Sequence, residues 1–423
     1  MKKRVKTFRV KAQGNSMYPI LQDGDIVEYI QIPFYKIQLN DIILTYINEN
    51  LVTHRVIYKS KYTCITRGDN NSTADPIIKR GRVLARVVRF KRRDTWWDIQ
   101  DVYLTQSTLY LREIQKLETV LQFKKIPHVF LKGVLVSLRY EHTIPKRIYA
   151  DCDILFDRRM YGNIDNIFTR LGFRLVDEDR TSFTSLKNPK DRAEISFIKL
   201  INNIPIIFDV HFEPVFLINQ LDGMNLLYPK KYLAKLGSEM IDRGRKVKIK
   251  GFFYTLCSES DQILYLILHI FNHNFTDSVR YQLLISVIGK PTNRKVMKQL
   301  IETVGNLKLN GYVYPVLLLL NKYYNSPFPY TYLSLLTPSL FKQWVSTHIE
   351  NNTTIHNNDA RDSKKIAYIF LLSPARLGRK VLFFIHPEVY YAVFWAIRKK
   401  LRRTIFLFTL ILNKVLYKKK IIL

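Results

Sequence analysis

Ser16 lies in the run Gly14-Asn15-Ser16-Met17-Tyr18-Pro19, and His54 lies in Thr53-His54-Arg55-Val56. Asp69 belongs to Arg67-Gly68-Asp69-Asn70-Asn71, and Asp75 follows shortly after it. A serine hydroxyl is a weak nucleophile unless a neighbouring base takes its proton, and an imidazole base needs a carboxylate to hold one tautomer. Ser16, His54 and Asp75 supply those three groups. Pro19 fixes a backbone angle in the turn that presents Ser16, and Gly14 permits close backbone approach, so amides near Ser16 are candidates for an oxyanion hole. Arg55 cannot stand in for His54, because a guanidinium keeps its proton near neutral pH. Taken singly, His54 also reads as a half-buried strand histidine and Ser16 as a turn residue.

A second set of residues suits divalent-cation chemistry. Asp151-Cys152-Asp153 opens an apolar run, and positions i and i+2 of a strand face the same way, so both carboxylates project together. Such a pair suits Mg²⁺, which leaves further coordination sites for water and substrate phosphates. Asp209, in Ile206-Ile207-Phe208-Asp209-Val210-His211-Phe212, is a third carboxylate on a run that could pair beside the first. Upstream, Lys132 and Gly133 offer a charge to neutralise a phosphate and a backbone that can approach one. On spacing alone, Asp-x-Asp also fits solvated turn residues. His269 and His273 share a helix face at i and i+4, which fits either a metal or a contact between domains.

These residues sit in three compositionally different regions. Short strands are predicted at Asp25 to Tyr29, Asp41 to Tyr46, Leu51 to Tyr58, Cys64 to Arg67 and Arg82 to Phe90. Beyond Lys91-Arg92-Arg93-Asp94 the spacing turns helical from Trp96 to Phe123, with Leu104, Leu109, Leu111, Ile114, Leu117 and Leu121 near one stripe. Then come a helix at Gly133 to Tyr140, a strand at Asp151 to Phe156, a helix at Tyr161 to Leu171, and strands near Phe173 to Asp177, Ser182 to Ser185, Glu194 to Ile201 and Pro205 to Phe212. From about Ser258 the pattern is mainly helical. The expected fold class is therefore multidomain: a small all-β domain over residues 1–95, an α+β domain over 96–255 and a mainly α-helical C-terminal region over 256–423.

The first ninety or so residues resemble the type I signal peptidase family and its self-cleaving LexA-type relatives. The resemblance is carried by Ser16-Met17-x-Pro19, Asp23-Gly24-Asp25, Asn40-Asp41-Ile42-Ile43, His54-Arg55-Val56 and Gly68-Asp69-Asn70-Asn71. A histidine before Arg-Val is the mark of the archaeal and endoplasmic-reticulum branch, where other members use lysine. The resemblance implies a serine endopeptidase with Ser16 as nucleophile, His54 as base, Asp75 as third partner and Asp69 as a supporting carboxylate. Family members have a membrane-spanning helix before the serine, whereas Met1 to Gln13 carries Lys2, Lys3, Arg4, Lys6, Arg9 and Lys11 and no apolar run of about 20 residues. The expectation is cleavage of cytosolic or membrane-apposed peptides.

From roughly Thr105 to residue 350 the chain resembles the uncharacterised nucleotidyltransferases of the polymerase-beta-like superfamily. Leu131-Lys132-Gly133, Arg147 with Asp151 and Asp153, Gly172-Phe173, and Asp209-x-His211 carry that resemblance. It implies transfer of a nucleoside monophosphate from an NTP, with Mg²⁺ on Asp151, Asp153 and Asp209 and with Lys132, Gly133 and Arg147 at the phosphates. Many superfamily members have a Gly-Ser pair at the triphosphate, and here Val134 follows Gly133.

The chain has 423 residues, 47% of them hydrophobic and 13% aromatic, enough for several cores. Its net charge of +32 favours an acidic partner: a nucleotide, a nucleic acid or an anionic lipid surface. Its abundance of Lys, Ile, Asn, Tyr and Phe equally fits an AT-rich coding bias. A basic nucleic-acid-binding or membrane-surface scaffold with inactive enzyme-like domains is the alternative from another functional class. Cys64, Cys152 and Cys257 form no Cys-x-x-Cys pair, which fits a reducing, cytoplasmic setting. Trp395 to Leu423 alternates basic clusters with an apolar run, and suits either a helix on an anionic membrane surface or a last core helix.

Overall fold

A computed structural model describes residues 6–141, 147–176, 192–202, 204–214, 222–289, 293–324, 328–357, 362–387 and 389. The expected tail helix at Trp395 to Leu423 and the strand at Ser182 to Ser185 lie outside the described residues.

The N-terminal region is one curled antiparallel sheet. Its strands are β1 (Thr7–Lys11), β2 (Ile26–Ile30), β3 (Ile42–Ile47), β4 (Asn50–Lys59), β5 (Thr63–Arg67), β6 (Ile78–Lys79), β7 (Val83–Arg92) and β8 (Thr95–Asp98). They are ordered β1-β2-β7-β3-β4-β5-β6, with β8 paired to β7. Period-two alternation sends neighbours to opposite faces: Ile42 and Leu44 of β3 join a core with Met17, Ile20 and Tyr29, while Ile43 joins Ile37, Val56, Cys64 and Ile78. Register shifts at Glu28/Tyr29, Leu44/Thr45 and Val56/Tyr58 mark bulges that bend the strands.

Helical spacing had placed Trp96 in the following helix, but Thr95–Asp98 is a strand. Arg93 adopts φ +55°, turning the chain so that Trp96 pairs with Lys91 and Trp97 with Phe90. Helix α1 (Ile99–Phe123) then connects two cores. Ile99 and Tyr103 pack with the N-terminal sheet, whereas Tyr110, Ile114, Leu117 and Leu121 pack into the next core. The buried stripe thus runs through Tyr103 and Tyr110, and Leu104, about 100° round the helix from Tyr103, is exposed.

The middle region is a seven-stranded mixed sheet ordered β11-β12-β13-β10-β9-β15-β14. In chain order its elements are β9 (His128–Phe130), α2 (Val134–Tyr140), β10 (Cys152–Phe156), α3 (Tyr161–Arg170), β11 (Arg174–Leu175), β12 (Glu194–Ile201) and β13 (Ile204–His211). Helix α4 (Lys230–Asp242) and strands β14 (Arg245–Ile249) and β15 (Phe252–Leu256) complete it. Strands β10 and β13 are parallel neighbours, with Asp153 opposite Asp209. Phe168, Phe173, Phe197 and Phe208 pack ring against ring beneath them.

Helices follow: α5 (Glu259–Asn272), α6 (Ser278–Ile288), α7 (Arg294–Asn306), α8 (Asn310–Tyr324), α9 (Tyr330–Leu335), α10 (Leu340–Asn352), α11 (Asp362–Leu372) and α12 (Leu377–Phe384). Ser258, Asp277 and Asn293 cap α5, α6 and α7 through side-chain oxygens. Helix α5 is buried almost all round and lies at the centre of the largest core.

The helical region also docks on the N-terminal sheet. Arg67 donates to the His356 carbonyl at 3.0 Å and to Asp277 Oδ1 at 3.2 Å, Gln282 donates to the Ile57 carbonyl at 2.9 Å, and the Ala74 amide donates to Asn357 Oδ1 at 3.0 Å. The His356 ring packs beside Tyr58 and Tyr323, with centroids 5.3 and 5.6 Å away. Among the described residues no helix is long and apolar enough to cross a membrane.

Two candidate active sites

Ser16, His54 and Asp75 come together. His54 sits on β4 and is buried at 6% exposure. A carboxylate can only accept, so His54 Nδ1–H donates to Asp75 Oδ2 at 2.6 Å, which leaves Nε2 to accept from the Ser16 hydroxyl at 3.0 Å. Thr66 on β5 also donates to Asp75 Oδ2, at 2.6 Å, and holds the carboxylate in place. This is the geometry in which an imidazole can take a serine proton while a fixed carboxylate stabilises the resulting cation.

The supporting details differ from the sequence-based expectation. Asp69 does not touch His54; it forms a two-point pair with Arg55 at 2.6 and 2.7 Å. Arg55 also donates to the Asn40 carbonyl and to Tyr103 at 2.9 Å, so Asp69 fixes the strand and α1 rather than the imidazole. These anionic and phenolic partners outweigh burial and hold Arg55 firmly protonated. The glycine at 14 serves conformation, at φ +80°, since a Cβ there would meet nothing within 4 Å. Its amide donates to Asp23 Oδ1 at 2.8 Å and so is already committed. Close approach occurs at Gly68, where a Cβ would lie 2.6 Å from the Ser16 carbonyl oxygen. Asn70 N–H donates to that same carbonyl at 2.8 Å, so the Gly68–Asn70 segment seats the serine turn. The Tyr18-Pro19 bond is cis.

The second site is built on adjacent parallel strands. Asp151, Asp153 and Asp209 each present one oxygen, all within 4.8 Å of one another. Asp153 is 1% exposed and its Oδ1 is buried without a hydrogen-bond partner. Its Oδ2 accepts from Tyr265 of α5 at 2.5 Å and lies 3.1 Å from Lys132 Nζ. Lys132 also lies 3.3 Å from Asp151, and donates to His269 Nε2 at 3.2 Å. Ser196 on β12 donates to Asp209 at 2.6 Å.

Packing three carboxylates together divides their protonation. Burial works against the Asp153 carboxylate, but Lys132, and then His211, hold its pKa far below the usual range. Asp209 is pushed up to about 6 by burial and then by Asp153 and Asp151. Glu194 rises to about 7, again chiefly through burial. Burial opposes protonation of His211, yet Glu194 and Asp153 raise it to about 9. Burial drives His269 and His273 well below the usual histidine value, so neutral His269 can accept from Lys132. His269 thus meets Lys132, and the His273 ring lies beside it with centroids 4.6 Å apart.

The donor set fits a hard divalent cation: three carboxylates, one with an unsatisfied buried oxygen, held by surrounding hydrogen bonds. Arg147 donates to Ser137 Oγ at 2.9 Å and pairs with Glu141 at 3.6 Å. Gly133 has φ +104°, and a Cβ there would meet the Asp151 carbonyl and Cys152 Cα at 3.2 Å, so protein packing already accounts for the glycine. Sequence reasoning missed Tyr265, Ser196, Glu194 and Thr66. The two on β12 were accessible in principle, since alternate residues opposite Asp209 and His211 must face the same side.

No curated protein matches the chain. The family model described as an uncharacterised nucleotidyltransferase matches residues 82–287, from the start of β7 to the end of α6, and this span includes all three convergent aspartates.

Proposed function

We propose that this chain is a two-site enzyme whose Asp151, Asp153 and Asp209 site transfers a nucleoside monophosphate from an NTP to an acceptor hydroxyl or amine, breaking the α–β phosphoanhydride bond and releasing pyrophosphate. The convergence of the three carboxylates carries this reading, with the family match across them in support. Bound Mg²⁺ would supply charge neutralisation at the α-phosphate and lower the acceptor's pKa. Tyr265 and Ser196 orient the two inner carboxylates, and Lys132, now seated between Asp151 and Asp153, is placed to turn to substrate phosphate. The missing Gly-Ser pair leaves more of the phosphate binding to Lys132 and Arg147. Incubation with α-labelled NTPs, Mg²⁺ and cell extract tests this: label should reach an acceptor with wild-type protein and not with Asp153→Asn. Equal transfer by both proteins would refute the assignment.

The hydrogen-bonded chain from Ser16 through His54 to Asp75 favours a second activity, serine endopeptidase chemistry of the signal-peptidase type. As Ser16 Oγ bonds to a peptide carbonyl carbon, its proton passes to His54 Nε2 and then to the leaving amine; water hydrolyses the resulting ester by the same base. Labelling by a serine-directed acylating reagent should vanish in Ser16→Ala and fall sharply in His54→Ala. Undiminished labelling of both variants would exclude this role.

A further inference from the structure

We propose that the nucleotide binds in the cavity of about 580 Å³ between the N-terminal sheet and the α+β module, so that the sheet domain completes the nucleotide site. This deepens the transferase reading and rests on it. The cavity is bordered by Lys132 and Asp151 of the metal site, by Arg67 and Asp69 of the N-terminal sheet, and by Val279 and Arg280 of α6. Its volume lies within the range of small-molecule sites.

The lining matches the two halves of a nucleoside triphosphate. Lys132, Arg147, Arg67 and Arg280 bring positive charge for the phosphates, while Ile57, Ile148 and Ile207 offer apolar wall for a base. Arg280 has unused donor capacity: one terminal nitrogen donates to Asp277 at 2.9 Å, but its Nε is buried with no hydrogen-bond partner. A polyanion seated beside it would satisfy that donor. Asp277 also accepts from Arg67, so one carboxylate ties the N-terminal sheet to α6 at the cavity edge. The loop leading to it holds Asn274, Phe275 and Asp277 at φ +55°, +62° and +74°, left-handed values unusual for such side chains. Backbone strain of this kind concentrates at ligand clamps.

The wall supplied by the sheet is the same segment that seats the serine. Arg67 and Asp69 flank Gly68, which lies against the Ser16 carbonyl. Nucleotide bound here touches both modules and fixes their relative position.

Hydrogen exchange of the full chain with Mg²⁺ and an α,β-methylene NTP, each base tried in turn, tests the inference. Protection is expected at residues 67–70 and 279–283 as well as on the aspartate strands. Val279→Trp, which fills the cavity while leaving Asp151, Asp153 and Asp209 unchanged, should weaken analogue binding at least about tenfold. Arg280→Met should weaken it about 10- to 100-fold, the value of a charge-assisted hydrogen bond. Binding with protection confined to the aspartate strands and unchanged affinity in both variants overturns the inference and leaves the transferase reading standing. No analogue binding to the wild-type chain overturns both.

Discussion

Gly68→Ala should disable the serine site without altering any of its three reacting side chains. A Cβ at position 68 would fall 2.6 Å from the Ser16 carbonyl oxygen and 2.9 Å from Asn71 Nδ2, and real Cβ contacts essentially never come under 3.0 Å. Asn71 can swing away, but the carbonyl belongs to the backbone of the nucleophile and is held by Asn70 N–H at 2.8 Å. Its φ lies outside the left-handed region, so alanine meets no torsional obstacle and the whole effect comes from the contact. Opening that contact beyond 3.0 Å moves Ser16 relative to His54 Nε2, now 3.0 Å from Oγ. A misplacement approaching 1 Å costs about a hundredfold in rate, so a loss of about ten- to a hundredfold in acylation is expected. Overpacking should also cost about 1–3 kcal/mol of stability. The assay is the rate of Ser16 labelling by a serine-directed reagent, followed by mass spectrometry, with Gly14→Ala as the comparison that strains φ without a clash. Labelling of Gly68→Ala at the wild-type rate would refute the reasoning.

Lys132→Met removes the nearer of the two cations beside the buried Asp153, leaving His211, and should destabilise the fold by about 1–3 kcal/mol, with Mg²⁺ restoring part of the loss in thermal unfolding; indifference to Mg²⁺ would count against the cation site. Asp69→Asn should lower stability by about 3–5 kcal/mol, because it leaves Arg55 buried without its anion. Asp75→Asn should instead abolish Ser16 labelling at little cost in stability, and the reverse pattern would mean that the two aspartates have been assigned the wrong roles. His356 responds to pH: burial, then Arg67, lowers its pKa from 6.5 to about 4. The unfolded chain therefore binds more protons between those values, so stability is full above about 6.5 and falls as pH drops towards 4. Allowing for partial solvent screening, about 2 kcal/mol is at stake. Urea unfolding of wild type and His356→Phe across this window should show the loss in the first protein and not in the second.

Local pattern made much of this architecture readable. Alternation marked β3, β4 and β7, and the flanking apolar runs placed Asp153 and Asp209 on strands, because both signals are properties of neighbouring residues. The aspartate convergence needed only one further step, the parallel pairing of β10 with β13. What stayed hidden depends on distant contacts. Tyr265 reaches Asp153 from a helix more than a hundred residues away, and its spacing within α5 is that of any core tyrosine. Asp75 was assigned to His54 from the sequence and its resemblance, but Asp69 was read only as a further support for that site, and it is the chain path beyond β5 that brings it to Arg55 instead. Gly14 and Gly68 were likewise indistinguishable as letters, although one is needed for φ and the other for space. Trp96 was misread because a turn at Arg93 outweighed the helical spacing that begins just after it.

Manganese binding measured by electron paramagnetic resonance tests the central claim most directly, that Asp151, Asp153 and Asp209 act as one cation site. The full chain should bind Mn²⁺ in competition with Mg²⁺, and Asp153→Asn or Asp209→Asn should each abolish that binding. A wild-type chain that leaves Mn²⁺ free in solution, or variants that bind it as tightly as wild type, would contradict the account.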